Sequence, residues 1–107
     1  MTDAIVFVLL ATAGALFAVG LACLIARSNL IKMVIGLELL GKGVSLVFVT
    51  GGYLGGDVGS SQAVVFTLII IEAVVAAVAL ALVILAKRTW KTLDIASIAA
   101  KVRGGEP

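Results

Sequence analysis

Three long apolar stretches constrain the fold of this chain more than any other feature of its sequence. They cover residues 5–26, 30–50 and 62–86, and each is close to the roughly 20 residues that a helix needs to cross about 30 Å of hydrocarbon. The chain has 107 residues, of which 63% are hydrophobic and 13% charged. In soluble domains, about 45–50% of the residues are hydrophobic and about 25% are charged. The sequence therefore predicts an all-α, multi-pass protein of the cell membrane with three transmembrane helices.

The basic residues predict how these helices are oriented. Residues 1–4 contain no Lys or Arg, so the first helix lacks the charged start of a cleaved signal peptide and is expected to stay in the mature protein. Lys and Arg in short loops favour the cytoplasmic side of a membrane. Seven of the eight basic residues flank the first connection or follow the third helix. We therefore expect the amino terminus outside and the carboxy terminus in the cytoplasm. The seven residues are Arg27, Lys32, Lys87, Arg88, Lys91, Lys101 and Arg103.

The two connections between the predicted spans differ in kind. Residues 27–29 are too few for anything but a tight turn, which would make the first two helices an antiparallel hairpin. Residues 51–61 include five glycines, and the backbone freedom of glycine predicts a flexible loop in solvent.

The chain changes character after the three-helix domain of residues 1–90. In the tail, residues 91–107, the apolar Ile95, Ile98 and Val102 recur at helical spacing beside charged side chains. This pattern predicts a short amphipathic helix that lies on the membrane surface or against a neighbouring subunit. Disorder from residue 104 onward is an equally open prediction.

Besides Lys32 near the start of the second span, three charged side chains interrupt the apolar spans. Glu38 and Lys42 lie in the second and Glu72 in the third. A charge near the bilayer centre costs at least ~2.5–3.5 kcal/mol on insertion scales, and such residues usually mark ion or proton pathways. At 1.5 Å per residue they lie ~12, ~18 and ~21 Å from the cytoplasmic ends of their helices. This order predicts a polar relay for protons or cations near the middle of the membrane.

A structural role for these charges is the alternative interpretation. Glu38 and Lys42 are four residues apart, which places them on one helix face and within reach of each other, so they could form an ion pair that only fixes helix register. Buried ion pairs contribute little net stability, however. Glu72 has no basic residue at matching spacing on its own helix, so its partner is expected from another helix, with Glu38 and Lys42 as the candidates by depth.

The other residues predict no covalent chemistry by this chain alone. It has no histidine, its lone Cys23 is expected to be a small buried hydrophobe, and no nucleophile or phosphate-binding pattern occurs. We therefore expect no catalytic residue, cofactor, metal site or nucleic-acid partner. Three helices enclose little, so we expect the chain to pack against other membrane subunits within the lipid bilayer. A stripe of small residues on the first helix predicts a packing seam. It comprises Ala11, Gly14, Ala18 and Ala22.

Two segments carry a resemblance to a known family. The run Arg27-Ser-Asn-Leu-Ile-Lys-Met-Val-Ile-Gly-Leu-Glu-Leu-Leu40 resembles the second-helix signature of the NuoK family, the smallest core membrane subunit of complex I. Gln62-Ala-Val-Val-Phe and Ile71-Glu-Ala-Val-Val75 are similar to the third helix of that family. The resemblance covers nearly the whole chain. It implies that Glu38 and Glu72 are the two intramembrane carboxylates with which such subunits couple redox events to proton translocation, within an oxidoreductase complex.

The chain departs from the family pattern in two places. Gly41-Lys-Gly-Val-Ser45 replaces an Asn-rich stretch and puts a charge beside the first glutamate, and the tail is longer than in the respiratory form. Related subunits occur in membrane-bound hydrogenases and in multisubunit sodium/proton antiporters. The presence of Glu72 favours a subunit of a redox-linked complex over an antiporter subunit. Three functions stay open: a proton-path subunit of a redox pump, an antiporter subunit, and a structural scaffold. The transported ion, H⁺ or Na⁺, stays open too.

Overall fold

A computed structural model of the protein describes residues 2–26 and 29–105, and these residues form four helices. Helix α1 spans Thr2–Ile25, α2 spans Leu30–Gly55, α3 spans Val58–Trp90 and α4 spans Ile95–Arg103. The first three are long and apolar enough to cross a membrane. The predicted all-α fold with three spanning helices and a short amphipathic tail helix is confirmed. The direction in which the helices cross stays a prediction.

The second and third helices are longer than the sequence predicted. Helix α2 continues through Gly55 and α3 begins at Val58, so only two residues connect them. Gly56 adopts a left-handed conformation, with φ of 71°, and the side chain of Asp57 accepts a hydrogen bond from the amide of Ser60 at 3.2 Å. A glycine at the end of α2 and an acidic cap at the start of α3 are standard terminators. The predicted flexible loop over residues 51–61 is therefore wrong.

Packing between α2 and α3 explains why the glycine-rich segment is helical. The hydroxyl of Ser61 donates a hydrogen bond to the carbonyl oxygen of Phe48 at 2.6 Å. Any side chain at Gly52 would overlap the side chain of Ser61. The glycine thus permits a close approach of the two helices, and this contact offsets its low intrinsic helix propensity.

Helix α2 packs against both α1 and α3, and glycines bring it close to α1. A Cβ atom added to Gly36 would lie 2.7 Å from the carbonyl oxygen of Gly20, and Gly43 lies against the ring of Phe17. Ala13, which is 2% exposed, lies on the same face of α1. The four residues of the predicted packing seam are exposed within the chain and lie on the opposite face of α1, so their packing against another helix stays a prediction. They are Ala11, Gly14, Ala18 and Ala22.

Replacing Gly36 by alanine tests this contact. The added methyl group would force the backbones of α1 and α2 apart, and overpacking of this kind costs about 1–3 kcal/mol. We expect Gly36→Ala to lower the stability of the purified chain in a denaturing-detergent titration. Gly14→Ala is the matched control, since a Cβ there would meet nothing within 4 Å. Equal stability of the two variants would contradict the close approach.

The tail helix folds back onto the end of the bundle where α2 begins and α3 ends, here called the α4 end. The amide of Leu30 donates to the carbonyl oxygen of Leu93 at 3.0 Å, and the ammonium of Lys101 donates to the carbonyl oxygen of Trp90. The side chain of Asn29 caps α2 by accepting from the amide of Ile31 at 2.9 Å. Residues 27–28 of the predicted turn and 106–107 of the predicted disordered end lie outside the described residues.

Candidate functional site

An ion pair joins the middle of α2 to the middle of α3. The ammonium Nζ of Lys42 lies 2.7 Å from Oε2 of Glu72. Counted from the first residue of each helix, Lys42 is the thirteenth of 26 residues and Glu72 the fifteenth of 33. The pair therefore lies far from both ends of the bundle, where water would be expected.

Glu72 points inward because of its place in the pattern of α3. The less exposed residues of this helix recur every three or four positions, and Glu72 is one of them. This spacing defines one helix face, and that face lies against α2. The same face includes Val65, Leu68, Ala76, Ala79 and Val83.

The carboxylate of Glu72 is enclosed by α2. Its side chain is 14% exposed. A Cβ atom added to Gly41 would lie 2.7 Å from Oε1 of Glu72, so only glycine leaves room for the carboxylate there. The single hydroxyl proton of the buried Ser45 has two acceptors within reach, the carbonyl oxygen of Gly41 at 3.1 Å and Oε1 of Glu72 at 3.4 Å. The carboxylate of Glu72 therefore lies directly against the backbone of α2.

Glu38 lies one turn from Lys42 on the same helix. The two side chains line one cavity of about 310 Å³ between α2 and α3, and the rest of its lining is apolar. Among the described residues, the carboxylate of Glu38 has no hydrogen bond or ion pair. The remaining lining residues are Val34, Ile35, Leu39, Ala76 and Leu80.

The three predicted path residues thus form one cluster, here called the charged trio: Glu38, Lys42 and Glu72. The expectation that Glu72 finds a partner on another helix is confirmed, and the partner is Lys42. Lys42 is within reach of Glu38 by its spacing, but its ammonium pairs across to α3. The sequence did not indicate that Ser45 lies beside Glu72. Ser45 follows Glu38 by seven residues, and that spacing could have placed it on the same face.

Gly41→Ala tests how the carboxylate is held. The added methyl group would overlap Oε1 of Glu72 and should displace the carboxylate from Lys42. We expect any ion translocation that depends on the pair to fall about tenfold, which corresponds to roughly 1.4 kcal/mol, while the complex still assembles. Gly51→Ala, on the same helix with nothing within 4 Å of its added Cβ, should leave translocation unchanged. Unchanged translocation in Gly41→Ala would show that the position of the carboxylate is unimportant.

The chemistry available to the charged trio is the binding and transfer of charge. It contains two carboxylates that accept or release a proton and one ammonium that stabilises a neighbouring negative charge. No group among its members is placed as a nucleophile beside a base. Ion-conducting and proton-conducting sites within membranes use residues of this type.

Comparison with known proteins identifies the family. The model of the family described as NADH-ubiquinone/plastoquinone oxidoreductase chain 4L matches residues 8–101. NADH-quinone oxidoreductase subunit K 1 of Citrifermentans bemidjiense is 40% identical over 92 residues, which are 80% of this chain and 87% of the relative. Subunit K of Chlorobaculum parvum is 38% identical over 86 residues, 78% of each chain. Subunit K of Ectopseudomonas mendocina is 34% identical over 95 residues, 89% of this chain and 91% of the relative. The resemblance seen in the sequence is thereby confirmed, and the chain belongs to the NADH-ubiquinone/plastoquinone oxidoreductase chain 4L family.

Proposed function

We propose that this chain is a membrane subunit of an NADH-quinone oxidoreductase and contributes the charged trio to a path for proton translocation. The observation that carries the proposal is the ion pair of Lys42 and Glu72 at mid-helix, with Glu38 one turn away on a shared cavity. Family membership supports the parent complex, since the relatives are named as subunit K of that enzyme.

The energetic cost of the charged trio supports a role in transport over a role in stability alone. Removing two charges from water is expensive, and an apolar pair of similar volume often stabilises a fold as well or better. A scaffold of three helices could use leucine at these positions. Two carboxylates with one cation, in contrast, leave one acidic group without a paired cation, and a group of this kind is suited to proton transfer.

The chain is proposed to perform this function only within an assembly. The outer faces of α1 and α3 expose large apolar side chains, among them Phe7 and Phe66, which are 73% and 66% exposed. Exposed small residues on both helices would allow helices of other subunits to approach closely. We propose that other membrane subunits of the oxidoreductase and lipid cover these faces, with the α4 end towards the cytoplasm. The small residues are Ala11, Gly14, Ala18 and Ala22 on α1, and Ala73, Ala77 and Ala81 on α3.

Isolation of the native complex tests the parent assembly. A tag at the carboxy terminus should co-purify iron–sulfur subunits together with activity that oxidises NADH and reduces a quinone. Recovery of iron–sulfur subunits with hydrogenase activity, or of a sodium/proton antiporter without electron-transfer subunits, would replace the oxidoreductase with one of those complexes.

A further inference from the structure

The charged trio contains two carboxylates but a single cation. Lys42 has its ammonium on Glu72, and Glu38 lies four residues before Lys42 on α2. Helix α1 packs on the other side of α2, and the ionisable groups of its described part are Asp3, in its first turn, and Cys23. Since no second cation faces the trio from the described helices, only one of the two glutamates can be paired at a time.

The two partners of the ion pair differ in how firmly they are held. The side chain of Glu72 is 14% exposed and lies between Gly41 and Ser45, whereas the side chain of Lys42 is 55% exposed. A lysine side chain has four rotatable bonds and ends in a compact charge, so it moves more easily than a packed carboxylate. If the pair opens, the ammonium is the group that moves.

The space available to this ammonium leads to Glu38. Lys42 lines the cavity of about 310 Å³ together with Glu38, and Glu38 is the only other charged residue in its lining. Residues four apart on a helix lie about one turn from each other on the same face. An ammonium that leaves Glu72 and enters this cavity therefore finds one new anionic partner.

We propose that Lys42 is a positioning residue whose ammonium exchanges between Glu72 and Glu38. With Lys42 on Glu72, Glu72 is ionised and Glu38 carries a proton. With Lys42 on Glu38, Glu38 has released one proton and Glu72 has bound one. The trio holds one positive charge, one negative charge and one neutral carboxyl group in both arrangements, so the exchange moves a proton from Glu38 towards Glu72 without adding net charge to the membrane interior. The inference rests on the proposed function only for the use of this step in translocation.

Chemical modification of the complex in native membranes tests the exchange. Dicyclohexylcarbodiimide is an apolar reagent that modifies protonated carboxyl groups, and mass spectrometry of the peptides measures modification at each glutamate, counting any Lys–Glu amide that follows. We expect modification of Glu38 in the wild-type complex. In Glu72→Gln, the ammonium should move to Glu38 and lower its modification about tenfold, because a nearby opposite charge favours the ionised carboxylate by roughly that factor or more. The double variant Glu72→Gln/Lys42→Met should restore modification of Glu38 to the wild-type amount.

Two results would overturn the exchange. Equal modification of Glu38 in the wild type and in Glu72→Gln would mean that the ammonium never reaches Glu38. Absence of Glu38 modification in the wild type would mean that Glu38 is not the neutral member of the trio. These outcomes are independent of the proposed function, which is decided by proton pumping. If modification follows the expected pattern but the glutamine variants still pump protons, Lys42 does exchange between the two glutamates, and the exchange has no role in translocation.

Discussion

Replacing Glu72 or Glu38 by glutamine is expected to abolish proton translocation by a complex that still assembles. Glutamine keeps the shape and the hydrogen-bonding oxygen of glutamate but cannot bind and release a proton near neutral pH. A positioned group that transfers protons typically contributes a factor of about 10² or more to a rate. The measurement is proton uptake per electron by the purified complex in liposomes, with quinone reduction followed in the same sample.

Asp3→Asn is the control for this pair of substitutions. Asp3 is exposed in the first turn of α1, far from the charged trio, so removal of its charge should leave pumping at the wild-type level. The scaffold interpretation makes the opposite prediction for the trio: a lower yield of complex with unchanged activity per assembled complex. Normal pumping in both glutamine variants would exclude the proton path through these carboxylates.

Reversing the charge of Lys42 or of Glu72 alone is expected to prevent assembly. Lys42→Glu would place three carboxylates together, and Glu72→Lys would place two ammonium groups face to face. Like charges in contact repel each other and leave an uncompensated charge between the helices, which costs more than the neutral side chain of Glu72→Gln, where the ammonium can still turn to Glu38. Although the side chain of Lys42 is 55% exposed within the chain, we expect lipid or another subunit, not water, outside it. The amount of complex in solubilised membranes measures the effect.

The double variant Lys42→Glu/Glu72→Lys separates assembly from transport. It restores opposite charges across α2 and α3, so the complex should reappear. Pumping should stay low, because the cation would then be on α3 and no longer one turn from Glu38 on the same helix. Recovery of pumping to the wild-type level would show that the polarity of the pair is unimportant and would count against exchange by Lys42. Failure of the double variant to assemble would show that loss of the ion pair is not the main reason why the single reversals fail to assemble.

The sequence predicted the number of helices and the amphipathic tail because both depend on patterns within one segment. Ile95, Ile98 and Val102 show their helical spacing without reference to any other part of the chain, and α4 spans Ile95–Arg103 as they indicate. The apolar spans were found in the same way. Their ends were missed where contacts between helices decide them, since the hydrogen bond from Ser61 to Phe48 cannot be read from either segment alone.

The members of the charged trio could be predicted, but not which of them pair. Four-residue spacing places Glu38 and Lys42 on one face of α2, and this is a property of any helix. Whether the ammonium turns to Glu38 or to Glu72 depends on how α2 is rotated against α3 and on the space beside Gly41, which are tertiary features. The partner of the small-residue stripe of α1 could not be predicted for the same reason. Small side chains permit close packing without saying which partner they meet.

Hydrogen bonds in both halves of α2 limit how the middle of the bundle can move. Two turns before the carboxy-terminal end, the carbonyl oxygen of Phe48 accepts from Ser61, and at the amino-terminal end the amide of Leu30 donates to the carbonyl oxygen of Leu93, just beyond α3. A sliding motion of α2 along α3 would break both hydrogen bonds at once, whereas rotation about the bonds of one side chain breaks neither. In the proposed exchange, the moving part is therefore no larger than a lysine side chain, and the backbones of α2 and α3 serve as a rigid frame for it.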